Sequence, residues 1–565
     1  MKAQDATIEQ GSTLKPRGAR WVSAFLIVGL AATLPYLASR NGDFIYDDIP
    51  YIVNSQRQVR GPDLSPVFTE ALPPERPELG LYRPLTVLTY RLQAPGGLLS
   101  QASAFRTANI ALHALCAALV VVAASALGLS LAAATMAGAL FATHPALVES
   151  VAWTVGRAEL LAALFGLLAF VIHGRVRRTG IRYPALALAL LAACASKENA
   201  LAFPAVLLAF TVARAGESRH TIPWLELLTY TLVLSGTLIL RLAVLGRLAP
   251  DPQGATLHPA TLGERLFLVL DLLACYLRFE VWPYPSRIFH HASEFGTPNA
   301  SDALVIIVYV FLLWQTWRRR RLASACLAWV ALSLVPVLNL VPIQETFAER
   351  FLYFPTVGAC LAAGFGIEAW MRAEQRRSKL LALAVLIPGM AILAGAALTS
   401  ARASQFRSSI VLWEEESRRA PALPYPHYNL GLAYEEAAAY EPFGGPQRKA
   451  ALRAHQESLR LDPRHRHAAY AHLQLAQLST GMGLPRDAAS HYRQAIELGR
   501  LPETIMEPRY LLSAHLGLAH CHTIAPETVG SDEARRALLA ALPLAEEPEE
   551  RARIAESLQE LEKNR

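Results

Sequence analysis

Two adjacent aspartates, Asp47 and Asp48, follow Tyr46 just after the first long apolar run of the chain. Neighbouring carboxylates at a membrane surface can serve one reaction, one deprotonating an acceptor hydroxyl while the other orients it or holds a cation. The alternative for such a pair is a solvated loop with an Asx turn before Pro50. A second set bridges two apolar runs and contains His144, Pro145, Glu149, Trp153, Gly156, Arg157 and Glu159. Ionisable groups at membrane depth are costly, so these belong in a cavity or pair with one another, Arg157 with Glu149 or Glu159. Lys197-Glu198 and Glu349-Arg350 repeat the theme in later turns. A phosphate-linked donor needs cations, and Arg83, Arg91, Arg157, Lys197 and Arg350 are available. Trp153, Trp282, Tyr82 and Tyr353 suit either stacking on sugar or anchoring at the lipid interface.

The elements that position these residues are read from composition. Of 565 residues, 53% are apolar and 18% charged, and the mean hydropathy is +0.27. Those values exclude a disordered chain and point to a body in lipid. Residues 1–404 carry a net charge of +10 and residues 405–565 one of −3, which marks two bodies. The positive charges fall in short runs between apolar stretches and form no continuous basic face, so nucleic acid is not an expected partner. Five of the six cysteines lie inside apolar runs and Cys521 stands alone, so neither a disulfide framework nor metal-ligand spacing follows.

The run 21–39, preceded by Lys15, Arg17 and Arg20, reads as a retained signal anchor after a cytoplasmic tail, 1–20. Further spanning or near-spanning runs fall at about 104–127, 129–147, 157–173, 183–196, 199–214, 222–246, 301–317, 322–341, 351–371 and 378–399. Eleven crossings place Arg175, Arg177, Arg178 and Arg182, Arg214 and Arg219, Arg318 to Arg321, and Arg372, Arg376, Arg377 and Lys379 on one side, as expected of cytoplasmic loops. The stretch 264–283, with five charged residues, is then interfacial or re-entrant. On this topology the loop 40–103 and the C-terminal part both lie outside the cytoplasm.

From 405 the pattern becomes helix pairs with a period near 34, the tetratricopeptide signature. One copy has Leu475 and Ala476, Gly483 in the turn, then Ala488, Tyr492 and Ala495. An earlier copy holds Tyr428, Gly431 and Tyr434, then Ala451, His455 and Ser458, with an insertion containing Phe443 to Pro446, and Leu516-Gly517 opens a third. Stacked repeats present a concave surface that binds a protein and does no chemistry.

Taken in order, Tyr46-Asp47-Asp48, Tyr82-Arg83-Pro84-Leu85, His144-Pro145 with Glu149, Trp153 and Gly156 to Leu160, then Ser196-Lys197-Glu198 and Glu349-Arg350-Phe351-Leu352-Tyr353, followed by the repeats, form an ordered set. The set resembles the transmembrane and tetratricopeptide-repeat-containing proteins and their bacterial relatives. The resemblance covers about residues 20–500.

It implies an all-α, polytopic glycosyltransferase of the GT-C type over 21–404, with a tetratricopeptide α-solenoid over 405–565. The implied reaction moves a sugar, mannose favoured, from a polyprenyl-phosphate donor to Ser/Thr hydroxyls of exported proteins, with inversion. Asp47 and Asp48 carry over as the catalytic acids. Arg83, His144, Glu149, Arg157, Glu159, Lys197, Glu198, Glu349 and Arg350 are the candidates for binding donor and substrate. A bacterial inner membrane, with loop 40–103 and the repeats on the periplasmic side, follows from the same reading. No cofactor is firmly implied, and a divalent cation is the one candidate at the acid pair. Many relatives place an aromatic-acid pair after a Trp-Pro in a later outer loop; here Trp282-Pro283 is followed by Ile288-Phe289-His290-His291. Two other functions remain for such a chain: a scaffold whose repeats recruit partners, and a lipid-linked-sugar transporter.

Overall fold

A computed structural model describes residues 17–74, 76–218, 223–249, 261–374, 378–442, 444–501 and 506–563. Lys15, Arg219, Arg376, Arg377 and Phe443 lie outside the described residues, as does the side chain of Lys379. Among the described residues the structure is helical and holds no strand. It divides into two units, Met1–Arg407 and Ser408–Arg565.

The first unit is built on α1 (Arg17–Thr33), α2 (Ala102–Ala126), α3 (Leu131–Ala142), α4 (Arg157–Arg175), α5 (Thr179–Ser196), α6 (Phe203–Ser218), α7 (Trp224–Leu245), α8 (Leu262–Val281), α9 (Ala300–Arg319), α10 (Arg321–Leu334), α11 (Pro355–Glu374) and α12 (Ser378–Ala403). Eight helical stretches, those containing α1, α2, α4, α5, α6, α7, α9 and α12, are long and apolar enough to cross a membrane. A ninth is α3 with Pro145–Ala152, if that pair, bent by 51°, counts as one span. The bend sits at His144, whose extended backbone precedes a proline that cannot donate a helical hydrogen bond.

Eleven spans were expected, and the difference lies late in the unit. The run 322–341 turns at Val335–Val337, around Pro336, so that its apolar helix ends at Val337. The run 351–371 becomes a short turn, Glu349–Leu352, and then α11, which is not among the eight. Nor is α8, over the stretch read as interfacial. It starts in a reciprocal cap between Thr261 and Glu264. Its buried Leu268, Leu272, Tyr276 and Leu277 pack with Val330, Leu334, Phe347 and Leu352.

Segment 40–103 is a folded cap. Ile52, Val59, Val67, Leu72, Val87 and Tyr90 form a core with Phe105 of α2, and burying apolar side chains of this size holds together a segment whose helices, such as Pro66–Thr69 and Pro84–Arg91, are short. Gln58 donates to the carbonyls of Pro66 and Ala71, and Arg91 donates to those of Gln58 and Gly61. Arg91 therefore braces the cap.

The second unit stacks antiparallel helix pairs. Ala468–Gly481 and Pro485–Gly499 pair across a turn in which Gly483 takes φ +73°, a conformation glycine adopts without strain. Ala476, Ala488, Tyr492 and Ala495 are buried together. Pro508–Ile524 lies next, and a side chain at its Gly517 would collide with the Tyr492 ring.

Candidate active site

Asp48 is fully buried. One carboxylate oxygen accepts the Ile45 amide at 3.1 Å and the other the Val155 amide at 3.0 Å. The second bond joins the cap to the turn between Pro145–Ala152 and α4, a turn that closes only because Gly156 has no side chain to meet the Ser150 carbonyl. Burial pushes the Asp48 carboxyl up to about 7, held back by the Ile45 amide, Arg106 and the Val155 amide.

Asp47 is half-buried. Tyr46, before it, has φ +48°, a left-handed backbone uncommon for a tyrosine, and its ring stacks on Trp153 with centroids 5.6 Å apart. Burial pushes Asp47 up to about 7 against the opposing pull of Arg350, while Glu345, Asp48 and Glu149 add to the rise. The Arg350 guanidinium lies 5.7 Å from the Trp153 ring and 5.3 Å from the Phe351 ring. The Lys197 ammonium lies 5.2 Å from that same Phe351 ring, and Arg83 acts on Lys197 electrostatically. Arg350, which acts on Asp47, thus belongs to a group of cations drawn from three separate turns.

Each of these cations has a carboxylate partner, and the partners come from distant turns. Arg350 pairs with Glu149, which also accepts the Arg350 amide at 2.8 Å. Lys197 pairs with Glu159, and Arg83 holds Glu198 through its Nε and Nη2, at 3.1 and 2.9 Å. Arg241, from α7, joins Glu198 at 3.5 Å. The pairing of Arg157 with Glu149 or Glu159 is not formed. The buried Arg157 guanidinium donates to Asn109 Oδ1 at 2.9 Å and to the carbonyls of Phe105 and Thr89 at 3.0 and 3.3 Å. Its fork of donors is taken up by the protein, so it positions the cap and α2 and offers nothing to a phosphate.

His144 and Glu349 also stand in other company. His144 Nε2 meets the Glu280 carbonyl at 3.0 Å. Glu349 accepts Ser286 Oγ and the Arg287 amide, both at 2.5 Å, and so fixes the loop after Trp282-Pro283. Arg106, fully buried in α2, was not singled out in the sequence. It donates to the carbonyls of Asp43, Ala152 and Phe406 and so ties the start of the acid segment to α2. Its signal was a lone charge in an otherwise uncharged apolar run. Among the described residues no group of three or more His, Cys, Asp or Glu side chains is placed to hold a metal ion.

The arrangement offers a base with access to solvent, a second carboxylate that fixes the backbone, and cations beside them. No protein-family model matches the chain. It is 26% identical over 475 residues to protein O-mannosyl-transferase TMTC4 of Homo sapiens, covering 72% of this chain and 63% of that protein. It is 24% identical to protein O-mannosyl-transferase F38B6.6 of Caenorhabditis elegans, covering 72% and 59%. A shorter match, 39% over 150 residues, joins it to protein O-mannosyl-transferase Tmtc2 of Drosophila melanogaster, covering 24% of this chain and 15% of that protein. The chain thus spans less than two thirds of the length of these relatives. In its ordered motifs, apolar helices and helix-pair solenoid it is similar to the transmembrane and tetratricopeptide-repeat-containing proteins.

Proposed function

We propose that the membrane unit is a glycosyltransferase that moves mannose from a polyprenyl-phosphate donor to Ser/Thr hydroxyls of exported proteins. Asp47 is the general base. Its carboxylate takes the proton of the acceptor hydroxyl as the oxygen attacks the anomeric carbon from the face opposite the phosphate, which inverts that centre. The bond from carbon to the phosphate oxygen breaks, and the electron pair leaves with the polyprenyl phosphate. Arg350, Lys197 and Arg83 meet the negative charge that grows on that phosphate. Glu149, Glu159 and Glu198 hold those cations in place, and Asp48 holds the peptide that carries Asp47.

The observation that carries the reading is the unequal placing of the two acids: Asp48 is closed in by two backbone amides, and Asp47 is half-buried in the field of Arg350. The membrane is the inner membrane of a bacterium, with the acid pair and the repeats on its periplasmic side and the protein acceptor bound by the repeats. The test uses full-length protein, a polyprenyl-phosphate mannose and a Ser/Thr peptide. Asp47→Asn is expected to lower transfer by about 10² to 10⁴ while the protein stays folded. Wild-type transfer by that variant would remove Asp47 as the base.

A further inference from the structure

Trp153 is fully buried, so its ring is neither a platform for a sugar nor an anchor at the lipid interface. It sits in the turn between Pro145–Ala152 and α4. Its main chain is held from α2, because Asn109 Nδ2 donates to the carbonyls of Trp153 and Thr154 at 3.0 and 3.2 Å. From that fixed place the indole reaches two parts of the site. Its Nε1 donates to the Ile45 carbonyl at 3.4 Å, and its ring stacks on that of Tyr46 at an interplanar angle of 28°. The second part is Arg350, whose guanidinium lies 5.7 Å from the same ring.

Tyr46 is the residue before the proposed base. Among the described residues only Tyr46 and Asn339 carry a side chain at a positive φ. Glycine takes such a backbone without strain, whereas a bulky residue persists there only where its surroundings impose it. The turn itself is closed by main-chain bonds, in which the Ile45 carbonyl accepts the Asp48 amide at 2.9 Å and the Tyr46 carbonyl the Ile49 amide at 3.0 Å. A glycine at 46 would serve those bonds equally well. What the tyrosine adds is a ring, and that ring is stacked on Trp153.

The geometry points to Tyr46 and Trp153 as positioning residues for the transfer, a stacked pair that sets where Asp47 stands relative to Arg350. Trp153 meets both sides: the peptide that carries Asp47, through Ile45 and Tyr46, and the cation, through its ring. A packed indole between two groups fixes their separation, because side chains at interior density yield little. Closed off from solvent, Trp153 acts through these neighbours and not on a substrate. The inference rests on Asp47 as the base and Arg350 as a group that meets the leaving phosphate. In that reaction the hydroxyl attacks on the face opposite the phosphate, so base and cation must be held a set distance apart. A misplacement of about 1 Å in such a geometry costs about 10²-fold in rate.

The test measures kcat and KM of the full-length protein with a polyprenyl-phosphate mannose and a Ser/Thr peptide. Tyr46→Gly keeps the left-handed turn and removes the ring, and Tyr46→Leu keeps an apolar side chain without the ring. Each is expected to lower kcat by up to about 10²-fold while both KM values stay within about threefold of wild type. Tyr46→Phe restores the stack and should recover most of kcat, which a role for the hydroxyl would not allow. Asp47→Asn, run in parallel, separates the two levels of the argument. Wild-type transfer by Asp47→Asn would overturn the base on which the inference rests. Loss of transfer in Asp47→Asn with wild-type kcat in both ringless variants would overturn the positioning role alone. A fall in kcat that Tyr46→Phe fails to recover, or one matched by a rise in both KM values, would overturn it as well.

Discussion

Asp47 and Asp48 sit next to one another and are each pushed up to about 7, by burial first in both cases. Unfolded, both would release their protons near 4. The fold therefore favours the protonated pair, so the pair's contribution to stability is full below about 4 and is lost as pH rises through 7. If Asp47 is the base, transfer runs the other way, because a base must be ionised. The expected outcome is an acidic limb near pH 7 in transfer rate, over a range where thermal stability falls. Replacing both acids by Asn should flatten the stability slope, read as melting temperature against pH. Asp48→Asn alone removes the negative charge that raises Asp47, so its residual activity should show a limb at lower pH. The same change turns an acceptor of two amide hydrogens into an acceptor of one, at a cost of about 1–3 kcal/mol in stability. The acid pair itself was legible from the sequence, since the residue types and their place after an apolar run are local facts. The unequal burial of the two carboxylates was not, because it depends on the Val155 amide, 107 residues away.

Among the elements, the turns between helices were legible as carriers of charge, and their pairings were not. Periodicity and motif order placed Glu149, Glu159, Lys197, Glu198 and Arg350 at one face. Which cation met which carboxylate was decided by helix packing, which brings residue 149 to 350 and residue 83 to 198. Sequence proximity suggested Arg157 for Glu149 or Glu159, and the packing of α2 on α4 gave it carbonyls and Asn109 in their place. Arg157→Lys keeps the charge and loses the fork, leaving the Phe105 and Thr89 carbonyls short of donors. Stability should fall by about 2–3 kcal/mol, measured by thermal unfolding in detergent. A loss of transfer without a loss of stability would place Arg157 at the donor instead. The span count was less legible, because a run such as 322–341 reads as one apolar stretch until Pro336 turns it.

For the whole molecule, the two units differ in charge and in kind of core, and the boundary between them bears on any attempt to separate them. The compositional change at 405 suggests a cut after Ser404. The carbonyl of Phe406 accepts from Arg106, and the carbonyl of Arg407 accepts the Asp43 amide at 2.9 Å. Residues 405–407 thus hold the segment that leads to the acid pair, and the unit boundary falls after Arg407. If the repeats serve to hold a protein acceptor, their removal lowers its effective concentration and leaves the chemistry alone. A chain ended after Arg407 should then keep most of its transfer to a short Ser/Thr peptide and lose transfer to a protein acceptor. A chain ended after Ser404 should lose both, because Arg106 and Asp43 lose their partners and Asp47 loses its fixed backbone. Comparing the two truncations on the two acceptors separates acceptor binding from support of the site. Equal behaviour of both chains on the peptide would show that residues 405–407 do not hold the acid segment. Full transfer to the protein acceptor by the chain ended after Arg407 would assign the repeats to another partner.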